Sequence, residues 1–191
     1  MASADIPMEE LLRYLEVLAN ESLSLWDVPE GASARLINVS ENATYLVEAP
    51  GWKSILRVHR EDYHTERAIQ CELAWSTALR EDGAILTPGY YLGRDGKAIQ
   101  SGIADGLSRR RFMVMFEFVE GTQPDETHDL VKAFEDLGEI AARTHLHSIG
   151  WTRPEPFERL TWGLEAVFGP QPTWGNWRDA PKVTPEIRDI L

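Results

Sequence analysis

Arg57 stands inside an otherwise apolar run, Ser54-Ile55-Leu56-Arg57-Val58, and Glu72 follows in a stretch of helical periodicity. A cation among apolar neighbours calls for a reason, because a buried unpaired charge is costly. A strand cation and a carboxylate on the next helix can meet across a cleft. The planar guanidinium then still has N–H groups to offer, a geometry suited to phosphate oxygens. A plain strand-to-helix ion pair accounts for the same two residues structurally, and both readings stand at this point.

Other chemistries find little support. His145 and His147 are two residues apart in a helical segment and so cannot face one metal together. They read as packing residues at a helix end, while His59, His64 and His128 lack Asp or Cys partners at ligand spacing. No Gly-x-Ser-x-Gly or His-Glu-x-x-His motif occurs, which removes the usual hydrolase signatures. The single cysteine, Cys71, excludes an internal disulfide and a cysteine-based zinc cluster, and its helical position suggests packing. Nineteen basic against 31 acidic residues give a net charge of −12, which argues against a nucleic-acid surface. The one basic cluster, Arg109-Arg110-Arg111, reads as the solvated start of a strand. Composition is ordinary for a globular protein, with 43% hydrophobic and 9% aromatic residues, and no segment reaches the roughly 18 apolar residues of a membrane span. No secretory signal opens the chain, so a cytoplasmic protein without membrane partners is expected.

The elements that must position Arg57 and Glu72 follow from periodicity. Met8, Leu11, Leu12, Leu15 and Leu18 predict an amphipathic helix after Pro7. Runs at 35–39, 44–48 and 53–59, broken by Glu41-Asn42 and Pro50-Gly51, predict three antiparallel strands. A helix is expected over about 65–80, with Ile69, Leu73 and Glu72 on or beside one face. Residues 88–92 and 97–100 are expected to form a hairpin around Gly93–Gly96, and 111–119 a last buried strand. Gly121-Thr122-Gln123-Pro124 breaks the composition. Leu130, Phe134, Leu137, Ala141 and His145 then mark a long helix, and short helices are expected near 160–168 and 185–191. Beyond His147, Trp151, Trp162, Trp174 and Trp177 alternate with prolines and read mostly as residues that cement loops.

This order of elements, the Arg57 and Glu72 pair, the run Phe112 to Gly121, and the segment Leu137-Gly138-Glu139-Ile140-Ala141-Ala142-Arg143-Thr144-His145-Leu146-His147 resemble the aminoglycoside phosphotransferase and choline kinase-like family. The resemblance runs from about Ala34 to Ser148. It implies an α+β fold: a protein-kinase-like N-lobe, with about five antiparallel strands and helices over 1–120, and the first helices of a helical C-lobe over 121–191. The implied reaction is transfer of the γ-phosphoryl group of ATP, with magnesium, to a hydroxyl of a small molecule such as an aminoglycoside, choline or homoserine-like acceptor.

By that resemblance Arg57 takes the place of the usual phosphate-binding lysine, and Glu72 orients it. The turn Ser40 to Thr44 covers the phosphates, with Asn42 and Thr44 as candidate contacts. The backbone of Glu117 and Val119 reads adenine, and Phe116 limits the depth of the pocket. Leu36, Leu56, Met115 and Val119 are expected as its apolar walls. The family's base and magnesium ligands do not occur before Leu191. The 191 residues are therefore expected to be an inactive front portion of a kinase, a fragment that exposes apolar surface around Trp162, Leu164 and Phe168. A non-catalytic kinase-like binding or regulatory module is the alternative.

Overall fold

The computed structural model describes residues 6–122 and 130–190; His128 and the Gln123-Pro124 break lie outside these. The chain divides into two compact units, the first ending at Phe157 and the second beginning at Glu158.

The first unit opens with α1 (Met8–Glu21), preceded by Pro7, whose carbonyl accepts from the N–H groups of Glu10 and Leu11 at 3.0 and 2.9 Å. Glu9 and Glu10 set negative charge at its N-terminal end, where the helix dipole favours it. Three consecutive strands follow, β1 (Ser33–Val39), β2 (Asn42–Ala49) and β3 (Trp52–His59), paired antiparallel. Gly51 joins β2 to β3 with φ +74°, a left-handed conformation that glycine adopts without strain. The register between β1 and β2 shifts between Leu36 and Asn38, which marks a bulge in the outer strand.

After α2 (Glu66–Glu81) come β4 (Tyr90–Tyr91), β5 (Gln100–Gly102) and β6 (Arg111–Glu117). The sheet has six strands in the order β1-β2-β3-β6-β4, with β5 also paired to β6. Here the structure corrects the expected hairpin: β4 and β5 pair with β6 rather than with each other. Tyr90 lies opposite Phe116 and Gln100 opposite Met113, so the two short strands lie end to end along one edge. The Gly93–Gly96 turn does form, with Gly93 N–H bonded to Lys97 O at 2.8 Å. It serves to pass the chain along that edge.

Strand alternation sorts the core into two layers. Leu15, Leu18 and Ala19 of α1 pack over Tyr45, Val47, Leu56, Val58, Met113 and Met115 on one face. Ile69 and Leu73 of α2 pack with Val114, Phe116 and Ile99 on the other. The arginine run is less solvated than its composition suggests. Arg109 and Arg110 are exposed, but Arg111 is 3% exposed and its Nη1 lies 2.6 Å from Glu61 Oε2. Strand β6 turns every second side chain inward, and Arg111 falls on an inward position.

The first unit also contains α3 (Val131–Gly150), and along it Val131, Phe134, Leu137, Ile140, Leu146 and Ile149 are exposed. In the second unit, α4 (Leu164–Phe168) and α5 (Pro185–Ile190) are joined by loops. Its Trp162 and Trp174 rings lie 4.4 Å apart, and Phe168 meets Trp177 edge-on at 6.2 Å. Trp162, Leu164 and Phe168 are all exposed. Among the described residues no helix is long and apolar enough to cross a membrane.

Candidate functional site

Thr65 starts α2: its Oγ1 accepts the N–H of Ala68 at 3.0 Å and so satisfies one of the donors a helix start leaves open. Ile69 and Leu73 then fix the helix on the sheet, and Glu72, one position from Leu73, lies at the border of that contact. Arg57 Nη1 donates to Glu72 Oε1 at 2.7 Å. The two side chains are 32% and 24% exposed, so the pair is neither sealed in the core nor free in solvent. The guanidinium carbon also lies 4.8 Å from the centre of the Phe116 ring, which supports it from below with a cation–π contact.

Register defines the surface around Arg57. Thr44 and Val114 flank it on the neighbouring strands, and Ile55 lies between Leu46 and Phe116. Residues directly opposite across a ladder share a face, so Thr44, Leu46, Ile55, Arg57, Val114 and Phe116 form one surface. The expected walls are corrected by the same rule. Leu36, Leu56 and Met115 belong to the layer under α1; they lie on the other face of the sheet and cannot line a pocket around Arg57. The apolar residues that share the Arg57 face are Leu46, Ile55, Val114 and Phe116. Ile55 was missed as a neighbour of Arg57, although period-two alternation along 53–59 carries that signal.

Asn42 begins β2 opposite His59, two positions along from Arg57, and its Oδ1 accepts the Arg60 N–H at 3.3 Å. The loop proper is only Ser40 and Glu41, closed by Ser40 N–H to Asn42 O at 3.1 Å. At the far end of β6, the Glu117 N–H donates to Gly89 O at 2.9 Å. Its carboxylate accepts the Gly89 N–H at 2.9 Å and lies 3.3 Å from Arg80 Nη1 of α2. Val119 lies just beyond, exposed. The sequence reading assigned Glu117 a backbone role and missed its side chain, Arg80 and Gly89. A Cβ on Gly89 would overlap both the Arg80 guanidinium and the Glu117 carboxylate, so glycine is required for their close approach.

Among the described residues no three His, Cys, Asp or Glu side chains gather where a metal ion could be held.

An open antiparallel sheet of six strands with helices packed on it is a kinase-like α+β arrangement. The chain belongs to the phosphotransferase enzyme family, whose family model matches residues 33–188. Among solved structures, it is 44% identical to a microcompartment-associated aminopropanol kinase, with a TM-score of 0.76, over 87% of this chain and 50% of that one. An amicoumacin kinase in complex with AMP-PNP, Ca2+ and Ami shares the fold, with 20% identity and a TM-score of 0.59 over 83% of this chain and 45% of that one. The chain thus spans about half the length of each of these kinases. None of the curated protein sequences matches it significantly.

Proposed function

We propose that residues 1–120 form the nucleotide-binding lobe of a small-molecule kinase, with the lobe boundary near Gly121 and the first C-lobe helices over 121–191. The observation that carries this reading is the Arg57–Glu72 bond at 2.7 Å beside Leu46, Ile55 and Phe116. A guanidinium has five N–H donors, so one carboxylate does not exhaust it. Glu72 holds the group in place, and its remaining edge takes oxygens of the α- and β-phosphates. Thr44, opposite Arg57, offers a hydroxyl to the same anion. Leu46 and Ile55 give the base an apolar bed, Phe116 closes its depth, and the backbone of Glu117 and Val119 reads its edge. Asn42 holds the covering turn.

The acceptor is a hydroxyl of a small molecule. The 44% identity with an aminopropanol kinase supports an amino alcohol. The base that takes the hydroxyl proton and the magnesium ligands are supplied by residues other than those described, in the half of the fold that this chain does not span. On this reading the 191 residues bind nucleotide and do not turn it over, and the whole enzyme works in the cytoplasm.

Calorimetric titration of the chain with AMP-PNP tests the reading. Binding should be measurable, and Arg57→Ala should weaken it roughly 10- to 100-fold, the scale of a charge-assisted hydrogen bond. Equal affinity in Arg57→Ala would remove Arg57 from the site, and no binding by the unaltered chain would remove the nucleotide.

A further inference from the structure

Helix α2 is held from more directions than the sheet contact requires. Near its start, Arg67 Nε donates to Pro156 O at 2.7 Å, and Cys71 Sγ lies 3.8 Å from the same carbonyl. One turn on, Trp75 Nε1 donates to Ser148 Oγ at 3.0 Å, and the Ser148 hydroxyl donates to Thr144 O at 2.7 Å. At the C-cap, Asp82 Oδ2 lies 2.9 Å from His147 Nε2, and the imidazole stacks on Trp151 at 6.4 Å. These partners all belong to α3 or to the segment that follows it, and all lie within the first compact unit.

The spacing along α2 has a mechanical meaning. At 3.6 residues per turn, Arg67, Cys71, Trp75 and Asp82 fall on one stripe, roughly opposite the Ile69–Leu73 stripe that meets the sheet. Glu72 lies between the two, about a quarter turn from each. Apolar contact along one stripe lets a helix roll about its axis at little cost, and roll is the motion that would swing Glu72 away from Arg57. Directional bonds along the opposite stripe resist it.

We infer that Arg67, Trp75 and Asp82, through Pro156, Ser148 and His147, are positioning residues that fix the roll of α2 and so hold Glu72 against Arg57 before nucleotide arrives. Its consequence for nucleotide binding rests on the proposed function; the clamp on the helix does not. In this arrangement α2 is a strut between the sheet and α3. Glu72 is set by residues about 75 positions away in the chain, among them Ser148, 73 residues from Trp75.

Two measurements on the full chain test the clamp. Trp75→Phe keeps the ring and removes the N–H donor, and Ser148→Ala removes the acceptor. Each should speed amide hydrogen exchange over Ala68–Leu79 roughly 5- to 10-fold, the scale of one net hydrogen bond, with exchange in β2 and β3 unchanged. Ser148→Thr, which keeps the hydroxyl, should restore protection. Unchanged exchange in α2, or faster exchange across the whole sheet, overturns the clamp. The second measurement is a double-mutant cycle on AMP-PNP affinity. Trp75→Phe should weaken binding in the parent chain and add nothing once Glu72→Gln is present, whereas purely structural damage would be additive, which overturns positioning through Glu72. A chain that binds no AMP-PNP overturns the nucleotide reading alone, and the exchange data still decide the clamp.

Discussion

Under α1, the sheet buries Tyr45, Val47, Leu56, Val58, Met113 and Met115 almost completely, while Leu46, Ile55 and Arg57 on the opposite face stay half-buried beside α2. The two faces are made by alternate residues of the same strands. One is a dry apolar layer whose work is stability. The other keeps the Arg57–Glu72 ion pair, with Leu46 and Ile55, within reach of solvent, while Val114 and Phe116 on the same face are buried under α2. A shift of one residue in register would exchange the two faces, which is why β3 carries Arg57 between Leu56 and Val58 without placing charge in the core.

The largest effect should come from Leu56→Ala. It removes a fully buried side chain and should cost about 2–5 kcal/mol of unfolding free energy. The neighbouring Ile55→Ala, on the half-buried face, should cost roughly half as much and weaken AMP-PNP binding instead. Denaturant melts beside titrations of both variants would break the comparison if the two losses came out equal and neither changed affinity. Next is Gly106→Ala. Gly106 has φ +93°, and a Cβ there would overlap the Tyr14 ring of α1. A cost of about 1–3 kcal/mol is expected from strain at such a position, and nucleotide affinity in the folded protein should be unchanged, since the damage is confined to the α1 face.

Tyr45→Phe should move stability the other way. The Tyr45 hydroxyl is buried on the α1 face and has no hydrogen-bond partner among the described residues, and burial pushes its ionisation well above the usual range. Removing an unsatisfied polar atom should leave the unfolding free energy unchanged or raise it by up to about 1 kcal/mol. A clear loss would mean that the face is less dry than described. The smallest effect is at the sheet edge. The Asp95 carboxylate is held below the ordinary range, first by the Lys97 N–H and then by the Gln100 side chain. With a folded-state value below the unfolded one, its contribution is present above the ordinary Asp range near 3.9 and is lost as pH falls through the lowered value. Asp95→Asn should therefore lower stability slightly at neutral pH, change nothing at the acid end, and so flatten the acid limb of a stability profile between them.

Much of this architecture could be read from the chain because it is local. The three-strand run, α2 with its Thr65 cap and the long helix from about 130 all follow from periodicity and turn residues within short windows. The Arg57–Glu72 contact was also legible, since a cation on an inward strand position has few partners other than the next helix. The wall residues were misplaced where apolar character was weighed ahead of alternation, as with Leu56, which cannot share a face with Arg57. Two other features were out of reach. Whether β4 and β5 pair with each other or with β6 is decided by the long edge of β6, a tertiary partner. The ties from α2 to Ser148 and Pro156 join residues more than 70 positions apart, and no local pattern marks them.

The bulge between Leu36 and Asn38 has a further consequence. Strand β1 ends the sheet on its side, and an end strand presents a row of backbone donors and acceptors on which another chain could add itself. The extra residue breaks the spacing of that row just where Ile37 and Val39 are exposed, and Arg35 adds charge beside it. An incoming strand would find its hydrogen bonds out of step within a few residues, so the sheet stops growing at β1 and the molecule is guarded against edge-to-edge aggregation.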